Sequence, residues 1–219
     1  MGLRVRGWLC SEQRLAVLAI RAAAHFAGHR PIKVTITDQE AENGFSTAMA
    51  GLVLTVQDLL QQNRLFPAFI LMYSGLDILG SMTRPKGNLD TSGTDFKNWV
   101  ANFMLKGSSL HATPDDLWGA RCGVLHTATA RSRNSREGKA REVHYVRGDK
   151  GFAKFAQEEF DKLGEPKVVI DIDTLFDAFF DGVGKFSIAA KNDAVLKDVI
   201  LHHAKTMLWH YSYKISPKQ

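Results

Sequence analysis

Apolar residues recur along most of this chain at spacings of three and four, the period of an amphipathic helix. The first clear stripe runs over residues 45–60 and ends at a break at 63–64. The next helix, predicted over 65–82, is apolar nearly all round, which is typical of a central helix. Its polar exceptions are Tyr73, Ser74 and Asp77.

Two further helices are predicted from their start signals. Thr94 is expected to cap a third helix, which Gly107 ends. Thr113 precedes Pro114 and two acidic residues, a combination that favours the start of a fourth helix. This fourth helix is predicted to fade near Ala130.

The spacing of apolar residues changes after the fourth helix. Residues 141–147 and 167–173 alternate or run β-branched and are predicted to be strands, with a short helix over about 150–163 between them. Asp173 is expected to cap a long helix, and a last helix is predicted over about 192–211. The fold class is therefore mainly α, with a small two-stranded β element after the fourth helix.

The first thirty residues carry five Arg and a single Glu among apolar residues. The pattern is compatible with an amphipathic targeting segment, but it favours a loosely packed N-terminal extension. We expect a poorly defined extension over 1–43, a helical domain over 44–213 and a tail over 214–219.

No apolar run approaches the length of about 18–20 residues that a membrane span requires, so we expect no membrane partner. The two cysteines, Cys10 and Cys122, lie far apart in the sequence. This argues against a disulfide framework and favours a reducing cytoplasm.

Charge is concentrated just after the fourth helix, where residues 131–150 carry seven Lys or Arg against three acids, a net +4. A local positive field favours a polyanion, although a solvated loop has the same composition. The candidate contacts are Arg131, Arg133, Arg136, Lys139 and Arg141.

The fourth helix also contains an arginine and a histidine, Arg121 and His126, with only small or apolar residues between them. Arginine is a fixed cation suited to phosphate, and histidine exchanges protons near neutral pH. This is the equipment for cutting a phosphodiester without a metal.

Helix geometry separates Arg121 and His126 by about 140° around the axis and about 7.5 Å along it. Because helical side chains lean toward the N-terminus, Arg121 leans away from His126, and the pair is poorly placed to meet within one helix. A second copy packed across a two-fold axis would give a shared cleft. The small residues of this helix, Gly119, Ala120, Cys122 and Gly123, allow such close approach.

An arginine, four residues and a histidine, on a helix that follows a helical pair, resemble the Arg-x4-6-His motif of the HEPN superfamily. The resemblance covers about residues 45–210. It implies a HEPN-like helical bundle that forms a homodimer. Many members are metal-independent endoribonucleases, often toxins or defence effectors, so it also implies RNA as substrate and an antitoxin or regulatory protein as a possible partner.

In such an enzyme the resemblance gives His126 the role of proton carrier and Arg121 the role of gripping the scissile phosphate. The expected products are a 2′,3′-cyclic phosphate and a 5′-hydroxyl. Asp77 is a candidate to orient His126 or to hydrogen-bond Arg121, with Tyr73 and Ser74 as weaker auxiliary candidates.

A second interpretation stays open. Arg121 can instead form a structural salt bridge with Asp77 or Asp116, and His126 can be a satisfied core histidine. The residue after the arginine is Cys122, where active HEPN members usually have a polar residue. The alternative function is therefore a catalytically silent helical dimerisation, interaction or RNA-binding module.

A metal site is not favoured. His203 and His210 share a helical face but lie two turns apart, too far for one ion without other ligands. We expect neither a metal nor a cofactor.

Overall fold

The computed structural model describes residues 36–148 and 150–207. This part of the chain is mainly helical and contains one two-stranded sheet, as the sequence predicts. The strands are β1 (Glu142–Val146) and β2 (Lys167–Asp171). The helices, in chain order, are α1 (Asp38–Gln61), α2 (Leu65–Met82), α3 (Gly93–Trp99), α4 (Pro114–Thr127), α5 (Arg133–Arg136), α6 (Lys150–Lys162), α7 (Ile172–Asn192) and α8 (Ala194–Ala204).

Helix α1 begins seven residues earlier than its apolar stripe indicates. Thr37 caps it, and Glu40 returns a hydrogen bond to the backbone N–H of Thr37, so polar residues form the first turn. Residues 38–43, which we assigned to the N-terminal extension, therefore lie in α1. The rest of that extension up to residue 35, and the tail over 214–219, lie outside the described residues.

Helix α2 has the bounds that the sequence predicts, and it lies at the centre of the core. Nine of its eighteen residues are buried. By length and composition alone α2 could cross a membrane, which differs from our expectation that no apolar run approaches that length. Half of the helix is buried inside the fold, as in the core helix of a globular domain.

Two predicted caps are wrong by two residues. Ser92, not Thr94, caps α3, because Asp95 stands three residues later and completes a reciprocal capping box. Asp171, not Asp173, caps α7 by accepting a hydrogen bond from the N–H of Thr174. Helix α7 therefore follows β2 without a loop.

Three helix ends also differ from prediction. Helix α3 continues into a π-helical turn, Val100–Met104, and so ends before Gly107. Helix α4 ends at Thr127 because Ala128 adopts a left-handed conformation, with φ of 52°. Helix α8 ends at Ala204, and residues after 207 are not described.

The two strands are parallel, and α6 crosses between them. Glu142 pairs with Lys167, and Tyr145 pairs with Ile170. Val143, Val168 and Ile170 are buried, so one face of this small sheet completes the core. The other face contacts α6, where the side chain of Gln157 hydrogen-bonds the backbone of β2.

A buried carboxylate joins α4 to β1. Asp116 is 2% exposed and accepts hydrogen bonds from the backbone N–H of Arg141 at 2.7 Å and from its guanidinium at 2.7 and 3.1 Å. It also completes the capping box with Thr113. Asp116 therefore fixes the start of α4 against the residue that precedes the sheet.

We predict that Asp116→Asn lowers the free energy of unfolding at pH 7 by about 2–3 kcal/mol, because a buried, charge-assisted interaction is lost. The matched control is Asp115→Asn, whose exposed carboxylate pairs with Lys97. Such a surface pair contributes less than about 1 kcal/mol. Urea unfolding of both variants measures the difference, and equal losses would contradict the prediction.

The stabilisation of the fold by the Asp116 carboxylate depends on pH. Burial alone would raise the pKa of Asp116, but hydrogen bonds from Arg141 and Thr113 outweigh it and lower the pKa. The carboxylate therefore stabilises the fold above its ordinary pKa of about 3.9, and this stabilisation is lost as the pH falls further. The stability gap between wild type and Asp116→Asn should shrink below about pH 4.

Candidate functional site

Helix α4 carries the site, and its small residues let the chain pack closely against it. Gly119, Ala120 and Gly123 are buried. The carbonyl of Gly123 accepts hydrogen bonds from the backbone N–H groups of Ala128 and Thr129, so the chain reverses tightly over the helix end. A Cβ at position 123 would lie 2.3 Å from the carbonyl oxygen of Thr129, so this turn requires glycine.

Arg121 is held by Asp77 of the central helix α2. Its Nε lies 2.9 Å from Oδ2 of Asp77, and its Nη2 lies 2.6 Å from the same oxygen. Both side chains are mostly buried, at 19% and 26% exposure. Because Nε also lies 3.2 Å from Oδ1, this edge of the guanidinium meets both carboxylate oxygens side-on in a charge-assisted contact.

The charge of Arg121 is secured by this pair. Burial alone would lower the pKa of Arg121, but the hydrogen bond and charge of Asp77 outweigh it, with a smaller contribution from Cys122, and raise the pKa. The sequence left Asp77 and Asp116 as candidate salt-bridge partners of Arg121. In the structure Arg121 pairs with Asp77, since Asp116 pairs with Arg141.

Trp118 covers one face of the guanidinium. The Cζ atom of Arg121 lies 5.1 Å from the centre of the Trp118 ring, a cation–π contact. Trp118 packs in turn against Phe96, with ring centres 5.2 Å apart. Arg121 is thus fixed at one edge and at one face, so little of its conformational freedom remains.

Arg121 and His126 meet within one chain, so our geometric expectation was wrong. The distance from Nη1 of Arg121 to Nε2 of His126 is 3.1 Å. The expectation followed the Cα–Cβ directions and neglected the length of the arginine side chain. That side chain spans the turn, and His126 leans toward the helix N-terminus to meet it.

The chemistry of this contact defines the form of the histidine. A guanidinium only donates hydrogen bonds, so Nε2 of His126 accepts, and the ring proton lies on Nδ1. Of the five N–H donors of Arg121, two are directed to Asp77 and one to His126. Two remain, one on each terminal nitrogen, beside an exposed imidazole.

Tyr73 does not act on Arg121 or His126 directly. Its hydroxyl is fully buried and lies 2.6 Å from the hydroxyl of Tyr145 on β1, a residue that sequence reasoning missed. Burial raises the pKa of both phenols, so both stay neutral. The alternation of Val143 and Tyr145 on one strand face was the available signal. Ser74 is half-buried and, within the described residues, forms no hydrogen bond with the pair.

The predicted basic contacts divide into two groups. Arg141 pairs with Asp116 and so contributes to the fold, and its assignment to a binding surface stays a prediction. The others lie at the surface. Arg131 pairs with Glu142, while Arg133 and Lys139 both pair with Glu137. The segment is also more ordered than a loop, because Ser132 caps the short helix α5.

No group of three possible metal ligands occurs within the described residues. Nε2 of His203, one of the two histidines considered as metal ligands, lies 2.9 Å from the carbonyl oxygen of Arg84 and hydrogen-bonds it. His210, like Cys10, lies outside the described residues, and Cys122 is a free thiol.

Comparison with known proteins finds no matching family model, no matching curated protein and no matching solved structure.

We predict that Gly123→Ala destabilises the protein by about 1–3 kcal/mol, because the turn over α4 must move to admit the methyl group. The control is Gly51→Ala in α1, where a Cβ meets nothing within 4 Å. Alanine there should stabilise by about 0.5–1 kcal/mol, since glycine is a poor helix former. Thermal unfolding measures both, and a neutral Gly123→Ala would contradict the assigned contact.

Proposed function

We propose that this protein is a HEPN-like, metal-independent endoribonuclease in which Arg121 and His126 act on a phosphodiester of RNA. The observation that carries the proposal is the shared constellation on α4. An arginine is held by a half-buried carboxylate, keeps donors that neither this carboxylate nor the histidine takes, and contacts an exposed histidine whose Nε2 accepts from it.

Arg121 is suited to stabilise charge that develops on a phosphate. Asp77 and Trp118 hold the guanidinium in place, so no reorganisation is needed when the substrate arrives. The donors left on its two terminal nitrogens can reach two phosphoryl oxygens. Because Asp77 is nearby, the site is close to neutral before a phosphate binds, and binding depends on this local geometry rather than on net charge.

His126 is suited to act as the base. Its neutral Nε2 can take the proton from a ribose 2′-hydroxyl, whose oxygen then attacks phosphorus. The bond from phosphorus to the 5′-oxygen breaks, leaving a 2′,3′-cyclic phosphate. That 5′-oxygen takes a proton from solvent and leaves as a hydroxyl. Once protonated, Nε2 becomes a donor and its contact with Arg121 is lost, so the ring is free to return its proton to solvent.

The same geometry also favours a second function. A carboxylate that already satisfies Arg121, together with Cys122 after it, fits a catalytically silent helical interaction module. In that case the pair between α2 and α4 is structural. Activity, and not structure, distinguishes the two functions.

We predict that the wild type cleaves single-stranded RNA in the presence of EDTA. His126→Ala should lower the rate by about 10²–10⁴, the usual contribution of a general base. Arg121→Ala should lower it by about 10²–10³. Arg121→Lys should not restore it, because lysine lacks the fork that Asp77 holds.

The control for this experiment is His111→Ala, an exposed histidine just before α4. A substrate with 2′-O-methyl groups should resist cleavage, because the nucleophile is blocked. Folded wild type that leaves a broad set of RNAs intact would rule out the nuclease and favour the silent module.

We also predict a homodimer, the state that the HEPN resemblance implies. Sedimentation at micromolar concentration should give twice the chain mass of 24.3 kDa. Because Arg121 and His126 meet within one chain, mixing the Arg121→Ala and His126→Ala proteins should not restore cleavage. Restored activity would show instead that the two residues act across the interface, and a monomer would contradict the dimer.

A further inference from the structure

A hollow lies beyond the helix that carries Arg121. It has a volume of about 470 Å³ and lies between α5 and the start of the two strands. Its charged lining consists of three cations and two carboxylates: Arg131 before α5, Arg136 at the end of α5 and Lys167 at the start of β2, with Glu142 and Glu165. We propose that this basic hollow holds a backbone phosphate of a single-stranded RNA that also places a phosphate at Arg121.

The donors facing the hollow are only partly used. Arg131 donates to Glu142 through Nε, at 3.0 Å, and its two terminal nitrogens form no hydrogen bond in the described part of the chain. Arg136 has no side-chain hydrogen bond or ion pair with any described residue. A phosphate entering the hollow therefore meets guanidinium groups that do not have to abandon a partner.

One of the three cations is held in place by its neighbours. Lys167 is 25% exposed and pairs with Glu165, and its Nζ lies 4.6 Å above the ring of Phe160. Glu142, the partner of Arg131, is 16% exposed, whereas Arg131 itself is 73% exposed. The fixed position of Lys167 lowers the entropic cost of binding an anion.

The chain itself connects the two sites. His126 and Arg131 are only five positions apart in the chain, so their Cα atoms are at most about 17 Å apart. The hydroxyl oxygens of Thr127 and Thr129 lie 2.7 Å apart, and the hydroxyl of Thr129 donates to the carbonyl of Arg131, which fixes this connection. A strand of a few nucleotides can therefore reach both sites, which favours RNA over an acidic peptide as the occupant.

This inference rests on the proposed function for the identity of the strand, but its test measures binding and not cleavage. The probe is a fluorescein-labelled RNA of eight nucleotides, fully 2′-O-methylated so that it cannot be cut, and fluorescence anisotropy gives the Kd. Arg136→Gln should raise the Kd about five- to tenfold, because a charge-assisted contact is lost. Arg133→Gln removes the same charge three residues away, outside the hollow, and should raise it less than about twofold.

Two substitutions that each remove an acidic side chain test the opposite change in charge. Glu165→Gln frees Lys167 and should lower the Kd about two- to threefold, an effect that misfolding cannot mimic. Glu137→Gln adds the same charge at the surface, beside Arg133 and Lys139, and should change the Kd less. Equal effects within either matched pair would mean a general electrostatic surface and would overturn the hollow as a site.

Two competitors test the class of ligand. Adenosine monophosphate should displace the RNA only at millimolar concentration, and an acidic peptide of equal charge should not displace it at comparable concentration. Tighter binding of the nucleotide, or equal binding of the peptide, would overturn the RNA assignment. A difference between Arg136→Gln and Arg133→Gln without any cleavage by wild type would keep this site and reject the nuclease, and cleavage without that difference would do the reverse.

Discussion

The pair between Asp77 and Arg121 is the interaction on which the site depends. Asp77 is the one charged residue of α2, a helix that is otherwise suited to an apolar core. A carboxylate in that position is costly unless it is paired and hydrogen-bonded. The side-on guanidinium meets this need, and in doing so it fixes the position of α4 against α2. His126 and Trp118 then take their places around an arginine that is already held, so a single constraint of the core sets the geometry of the exposed site.

The backbone contacts of α4 also fix the position of this helix. Gly119 and Gly123 bring the following segment against the helix, and Thr129 closes over Gly123. Asp116 draws Arg141 back to the start of the helix. Helix α4 is thus fixed at its beginning and at its end by the chain that follows it. That chain leads directly into the basic segment, so the site at Arg121 and the basic hollow are parts of one continuous structure.

Sequence reasoning predicted the helices and strands whose signals are local. It failed where the length of a side chain, or the choice between two neighbouring capping residues, decides the structure. The bounds of α2 were predictable from a long apolar stretch between two breaks. The predicted caps lay two residues away from the observed caps, Ser92 and Asp171, because each observed cap lies near a second residue that can cap a helix. Asp95, three residues after Ser92, was the signal that could have identified the first. The contact of Arg121 with His126 depends on the extended length of one side chain, and the partner of Tyr73 lies 72 residues away. Neither is encoded in a local spacing.

The parallel pairing of β1 and β2 has a consequence for how the protein folds. Parallel strands cannot form a hairpin, so β1 must wait for all of α6 before β2 can join it. Such non-local contacts carry a large loop-closure entropy and form slowly. Glu142 and Lys167 meet only in the closed sheet, so the basic hollow exists only when both strands and the intervening α6 are in place.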